Sequence, residues 1–246
     1  MAKKKKKYYA VVKGRVPGIY RTWFGEGGAA EQVQGLDGAR YRGFYTEEEM
    51  VQWLQGLPQG MLQREAPALG QLAAEYEGEQ NSQDAEVQSE LEAGRVVVFT
   101  DGAANTNTRR GGYGAVIRRG NKREELSGGF CGTTNNRMEL TAVIKALESL
   151  KRKAAVVVFS DSKYVVRAME EGWLDNWHAN GWKRDKNQKL MNADLWQQLY
   201  ALNKKHDVQY RWVRGHSGTR ENERCDRLAV AAGQGRNLPM DKKGKK

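Results

Sequence analysis

The sequence predicts an α/β protein: a mixed five-stranded sheet flanked by helices, with a smaller α/β unit in front of it. Three observations predict this. Two apolar, β-branched runs, VVVF at 96–99 and again at 156–159, each end in Ser or Thr followed by Asp. Runs that are apolar at every position read as central strands covered on both faces. Helical segments then alternate with the later strands, as parallel crossovers require. Finally, Gly120-Asn121 separates GGYGAVI (111–117) from KREELSGGF (122–130), a two-residue turn that marks an antiparallel hairpin.

The elements follow in order. Residues 8–57 form a small unit in which YYAVVKG, PGIYRTWF and RYRGFY read as strands. TEEEMVQWLQGL reads as a capped helix: Thr46 is the N-cap, Glu49 completes the capping box, and Met50, Trp53, Leu54 and Leu57 face the sheet. Residues 58–94 are acidic and punctuated by Pro58, Gly60, Pro67, Gly70 and Gly78, which predicts a flexible acidic linker that can form transient helix. Residues 95–232 form the main domain. Strand 96–100 and the hairpin are followed by helix 136–150, strand 155–159, helix 162–170, a Trp- and Lys-rich stretch 172–190, helix 192–205, strand 208–213 and helix 221–232. This order gives an antiparallel start and parallel later strands. The tail 233–246 is expected to be basic and disordered.

Of 246 residues, 29% are charged and 39% hydrophobic, and the formal net charge is +11. This balance favours a polyanionic partner, though basic surfaces also meet acidic membranes. No apolar run is long enough to cross a bilayer, and the start MAKKKKKYYAVV lacks the apolar core of a signal peptide. A cytoplasmic protein without membrane contact is expected. Cys131 and Cys225 lack metal-ligand spacing and are expected as buried small hydrophobes.

Asp101 and Asp161 fall just past the two apolar strands, where open α/β sheets place ligands. Either alone could be a turn or helix cap; the matching pair points to a site. Glu139 lies in the first turns of the helix opened by TTNNRME, and Asp226 borders the apolar side of ENERCDRLAVAA. Four converging carboxylates repel one another unless cations bridge them, and all-oxygen ligation suits Mg²⁺ or Mn²⁺. Two such ions about 4 Å apart can clamp the attacking and leaving oxygens of a phosphoryl displacement. His216, in the Gly-rich loop RGHSGTREN, can exchange protons near neutral pH, or can simply pack the loop.

The motifs TDGAANTN, GGYGA, TTNNRMEL, SDSKYV, NGWK, GHSG and ENERCDRLA stand in this order, and with them residues 95–232 resemble ribonuclease H type 1, which cleaves the RNA strand of RNA–DNA hybrids. The resemblance implies a ribonuclease H-like fold, two metal ions held by Asp101, Glu139, Asp161 and Asp226, a mobile histidine at His216, and products with 5′-phosphate and 3′-hydroxyl ends. Asp101 would bridge both ions, Asp226 would serve the water side, and Glu139 and Asp161 the leaving-group side. Asn107, Asn135 and Asn136 would line the minor groove of the hybrid, Thr134 would bind a DNA phosphate, and Trp173 would pack against the DNA strand. Lys183, Arg184, Lys186 and Lys189 would form a basic protrusion. Lys163 stands where glutamine is common, which replaces a groove-reading amide by a point charge.

YYAVVKGRVPGIYRTW and GARYRGFYTEEEMVQWL resemble the hybrid-binding domain that precedes many enzymes of this class. That likeness implies substrate contacts at Trp23, Tyr41 and Arg42. Two features depart from it. FGEGGAAEQV, after Trp23, is a few residues longer than usual, and Gly43 stands where a second Lys is typical. The alternative is a packing unit in which Trp23 and Tyr41 are core residues. The expected partner is an RNA–DNA hybrid met by a monomer. A non-catalytic nucleic-acid binder, a DNA-cutting relative of the same fold and an unrelated phosphatase are the rival readings. The first leaves the four acids unexplained, and the asparagine pair 135–136 argues against the second.

Overall fold

The computed structural model describes residues 6–58, 60–184, 188–215 and 219–242, and the chain divides between Asp84 and Ala85 into two compact units. In the first, β1 (Tyr8–Lys13) lies between β2 (Gly18–Tyr20) and β3 (Arg40–Phe44), antiparallel to both. A short helix the sequence reading lacks, α1 (Ala29–Val33), buries Ala29 and Val33 with Val11 on one face of this sheet. The other face buries Ala10, Val12 and Phe44 against α2 (Glu47–Gln55), through Met50, Val51 and Leu54. Thr46 caps α2 as expected, while Glu49 reaches back one residue beyond the N-cap, to Tyr45. Thr46 Oγ1 accepts from Glu49 N at 3.2 Å, and Glu49 Oε2 accepts from Tyr45 N at 2.9 Å.

Residues 61–92 are helical, against the expectation of an irregular linker. Helix α3 (Met61–Glu65) leads into α4 (Pro67–Glu92). Pro67 suits a first helical position, and the run is rich in Ala, Leu, Glu and Gln, whose helix propensity outweighs Gly70 and Gly78. Its ends are also held by burial. Leu69, Ala73 and Tyr76 join the core of the first unit, while Val87 and Leu91 join that of the second.

The second unit carries the five-stranded sheet, in the order β6-β5-β4-β7-β8. Strands β4 (Val96–Asn105), β5 (Arg110–Arg119) and β6 (Lys122–Cys131) are antiparallel, with Gly120-Asn121 as the turn and Arg119 opposite Lys122. Strand β7 (Ala155–Ser160) is parallel to β4, and β8 (Asp207–Trp212) is parallel to β7. Helices α5 (Asn135–Glu148), α6 (Lys163–Glu170), α7 (Trp173–Ala179), α8 (Ala193–Lys205) and α9 (Arg220–Gly233) complete it.

Both apolar runs are buried on both faces, as predicted. Val96, Val98, Val156 and Val158 pack with Leu140, Ile144, Leu147, Trp196 and Leu199. The alternate residues Val97, Phe99, Val157 and Phe159 pack with Cys225 and Val87 on the opposite face. Helix α9 approaches the sheet so closely that a methyl group on Gly114 would strike the Cys225 carbonyl. Among the described residues no helix is long and apolar enough to cross a membrane.

The tail is not disordered through Lys242. Cys131 N donates to Pro239 O at 2.9 Å, Asp241 N donates to Cys131 O at 2.8 Å, and the Asp241 carboxylate meets Arg137. An acid that satisfies a buried guanidinium fixes a segment whose composition alone predicts disorder. Cys225 is buried as expected, whereas Cys131 is only partly so.

His206 ends α8, is 3% exposed, and neither ring nitrogen has a hydrogen-bond partner among the described residues. Burial lowers its pKa, and Lys205 adds to this. The unfolded chain therefore takes up this proton first, so stability falls as pH drops below about 6.5. Urea midpoints measured from about pH 7.5 to 5.5 are expected to fall more steeply for the parent than for His206→Leu. A constant difference between the two curves would contradict this.

Candidate functional site

The four acids predicted from sequence gather at one end of the central strands. Asp101 lies inside β4, not past it, because the antiparallel pairing with β5 runs on to Asn105, with Asp101 opposite Gly114. The parallel pairing with β7 stops at Thr100 and Ser160, so Asp101 and Asp161 occupy the point where the two strands part. Helix α5 meets β4 here, and a methyl group on Gly102 would strike the Glu139 backbone nitrogen. That contact holds Glu139 beside Asp101. Asp226 follows Cys225, whose thiol donates to Phe99 O at 3.2 Å and so ties α9 to β4. Burial and the Asp101 carboxylate push this thiol pKa well up.

The electrostatics follow from this crowding. The Asp101 carboxyl is pushed up to about 8, first by burial, then by Asp161 and Asp226, with a smaller contribution from Glu139. Only its bond from Gly102 N, at 2.7 Å, opposes the rise. Glu139 is also raised, by burial first and by Asp161, against hydrogen bonds from Ser162 and Asn135. Ser162 Oγ donates to Glu139 Oε2 at 2.5 Å while capping α6, and Asn135 Nδ2 donates to Glu139 Oε1 at 2.8 Å. Asn135 Oδ1 in turn accepts from Ala104 N at 3.2 Å, which links α5 to β4.

Three neighbours escaped the sequence reading. Ser162 orients Glu139. Asn222, 2% exposed, donates to Asp161 Oδ2 at 3.4 Å, and its own Oδ1 has no partner among the described residues. Gly215 passes so close to Asp161 that a side chain there would strike the carboxylate. The signal for Ser162 and Asn222 was present in SDS and ENE, as short polar residues beside the predicted acids.

The donor set suits a hard divalent cation. It is all oxygen, it is half-buried, and its charges repel one another until a cation neutralises them. Asn222 Oδ1, beside Asp161, is a further oxygen without a partner among the described residues. As the side chains stand, no group of three His, Cys, Asp or Glu among the described residues is close enough to hold a metal ion. Both Glu139 oxygens are taken by Ser162 and Asn135, so ligation requires side-chain movement.

The remaining predicted residues separate into groups. Asn107, in the β4–β5 turn, and Thr134, Asn135 and Asn136, at the start of α5, are exposed. Lys163 is exposed, with Nζ 5.0 Å from the Trp212 ring centroid, and Trp212 Nε1 donates to Asp161 O at 3.2 Å. Trp173 is half-buried, 5.8 Å from Trp177 and 5.7 Å from the Arg167 guanidinium. Lys183 and Lys189 face each other in an antiparallel bridge, with Arg184 N bonded to Gln188 O at 3.0 Å, so three exposed cations share one loop. His216 and Lys186 lie outside the described residues.

In the first unit Trp23 and Tyr41 come together, with ring centroids 5.1 Å apart. Arg42 does not join them. Neighbouring strand residues point to opposite faces, so Arg42 stands with Phe44, 5.6 Å from its ring.

Comparison with known proteins agrees with this architecture. Residues 92–234 match the RNase H family, and residues 7–54 match the Ribonuclease H1 N-terminal domain. The ribonuclease H of Trichodesmium erythraeum is 54% identical over 146 residues, covering 59% of this chain and 93% of that protein. That of Desulforamulus reducens is 52% identical over 146 residues, covering 59% and 92%. The crystal structure of LC9-RNase H1, a type 1 RNase H with the type 2 active-site motif, superposes with a TM-score of 0.51 at 34% identity, covering 56% of this chain and 71% of that one. The chain belongs to the ribonuclease H family, as a type 1 member that carries a hybrid-binding-like domain ahead of its catalytic fold.

Proposed function

We propose that this chain cuts the RNA strand of RNA–DNA hybrids, using Mg²⁺ or Mn²⁺ held by Asp101, Glu139, Asp161 and Asp226, and leaves 5′-phosphate and 3′-hydroxyl ends. The observation that carries the reading is Asp101, a half-buried carboxyl among three other acids, where its charge is costly unless a cation arrives. Bound there, a pair of divalent ions would polarise the scissile phosphate, supply the attacking water at neutral pH and stabilise the leaving oxygen.

The side chains of the chain do the positioning. Asp101, at the centre of the cluster, would serve both ions. Asp226 would serve the water side, and Asp161 and Glu139 the leaving side. Ser162 and Asn135 hold Glu139 in place, and Glu139, near the start of α5, would meet a ribose 2′-hydroxyl that DNA lacks. The exposed amides of Asn107, Asn135 and Asn136 and the Thr134 hydroxyl offer hydrogen bonds to groove edges and phosphate. Lys183, Arg184 and Lys189 offer charge to the phosphates, and His216 would pass protons as product leaves. In the first unit, Trp23 and Tyr41 would pack on sugars of the DNA strand.

The test compares one sequence as hybrid, double-stranded RNA and double-stranded DNA, with Mg²⁺ and with EDTA. Cutting confined to the RNA of the hybrid and abolished by EDTA is expected. Cutting of DNA would favour a DNA-processing relative of the same fold, and full activity in EDTA would exclude the metal.

A further inference from the structure

We propose that Phe24 is a further substrate-binding residue, whose ring covers the deoxyribose next to those met by Trp23 and Tyr41. The proposal rests on the reading of the front unit as a hybrid-binding module. Phe24 is 81% exposed, the most exposed large apolar side chain among the described residues. It is not an isolated surface residue. Its ring lies 6.3 Å from that of Trp23, which lies 5.1 Å from Tyr41 and 5.4 Å from Tyr9. Trp23 is thus the hub of a four-ring cluster. Tyr9 and Trp23 rest on the buried Val11, Ala29 and Val33, and the cluster reaches solvent at Phe24 and at Tyr41, which is 44% exposed.

The loop that carries Phe24 is built to hold it outward. Gly25 and Gly27 turn the chain at φ 103° and 72°. Gly28 N donates to Gly25 O at 2.9 Å, Ala29 N to Thr22 O at 3.1 Å and Ala30 N to Trp23 O at 2.9 Å. A methyl group on Gly28 would strike the Trp23 and Gly25 carbonyls. Glu31 Oε2 accepts from Gly27 N at 3.0 Å. This is the stretch FGEGGAAEQV, whose glycine turns form a pedestal for one exposed ring.

The chemistry selects the occupant. A flat apolar ring covers the C–H face of a deoxyribose or the face of a base, and stacking of this kind tolerates any sequence. A ribose would bring a 2′-hydroxyl against the ring and leave it without a partner. Glu26 in this loop and Glu31 in the first turn of α1 disfavour a phosphate at this point. The geometry therefore extends the sugar track of the DNA strand by one nucleotide beyond Trp23.

The test uses the full chain in EDTA, so that nothing is cut, and measures affinity for a labelled hybrid of about 24 base pairs at several salt concentrations. Phe24→Ala is expected to raise Kd about tenfold. The slope of log K against log salt should not change, because no charge is removed. Phe24→Tyr should stay within about twofold of the parent, and binding to double-stranded RNA should be unaffected by either change. A Kd for Phe24→Ala within twofold of the parent, while Trp23→Ala weakens binding, overturns the proposal and leaves the front unit a hybrid-binding module. If Trp23→Ala is also silent, that wider reading falls with it. Equal losses on double-stranded RNA, or a changed salt slope, would show that Phe24 does not act through deoxyribose.

Discussion

Asp101→Asn is expected to slow hybrid cleavage by ~10³-fold or more while hybrid binding in EDTA stays within about twofold. The carboxylate lies where β4 and β7 part, beside Asp161, Asp226 and Glu139, so its loss would remove the centre of the proposed cation site. The exposed amides, cations and aromatic rings that would meet the duplex are untouched. The same substitution carries a second, opposite expectation. A carboxyl raised to about 8 in the folded state is unusually reluctant to ionise there. Between its unfolded value near 3.9 and about 8 the folded state holds the extra proton, so this group contributes less stability as pH rises through that window. Asp101→Asn should therefore raise the melting temperature in EDTA at about pH 8.5, by roughly 2–4 °C if the relief is about 1 kcal/mol. Mg²⁺ should stabilise the parent and not the variant. An inactive variant that melts earlier than the parent would point to misfolding and not to a lost site.

Arg137→Ala is expected to cost about 3–5 kcal/mol of unfolding free energy. Arg137 is 3% exposed and holds two acids at once. Its Nη1 and Nη2 meet Asp194 at 2.9 and 2.8 Å, and its Nε and Nη2 meet Asp241 at 2.7 and 2.8 Å. Thr133 Oγ1 donates to Asp241 as well, at 2.6 Å. These bonds, with Asp241 the largest contributor, push the guanidinium pKa further up. Truncation takes the guanidinium away from two shielded carboxylates, at 20% and 9% side-chain exposure. Arg137→Lys should recover only part of the loss, because an ammonium cannot make two bidentate pairs. Asn135 and Glu139 stand on the same turns of α5, so activity should fall in parallel below the melting transition. Urea unfolding of the three proteins measures the first claim, and a loss under about 1 kcal/mol would contradict it.

The legible parts of this molecule were those written in local pattern. The twin VVVF runs specify central strands through burial on both faces, and Gly120-Asn121 specifies its hairpin in register. Thr46 and Glu49 specify the start of α2. The acids were legible as residues because each stands beside an apolar run or helix start. What brings them together is less visible. Asp101 lies inside β4 only because β5 keeps pairing beyond the end of β7, a non-local fact. Asn222 and Ser162 act through neighbours distant in sequence. The linker and tail were misread for one reason. Composition describes a segment in isolation, whereas Tyr76, Val87 and Asp241 are ordered by partners far along the chain. Strand alternation, legible in principle, separates Arg42 from Tyr41.

The central claim is that the four acids direct hydrolysis of the RNA strand through bound divalent ions. End analysis of the products tests it most directly. The full chain is incubated with a hybrid labelled on each strand in turn, with Mg²⁺ and with EDTA. Internal RNA cuts bearing 5′-phosphate and 3′-hydroxyl ends, an intact DNA strand, and no products in EDTA are predicted. RNA fragments ending in 2′,3′-cyclic phosphate would contradict the account, because they arise from attack by the ribose hydroxyl and not by water.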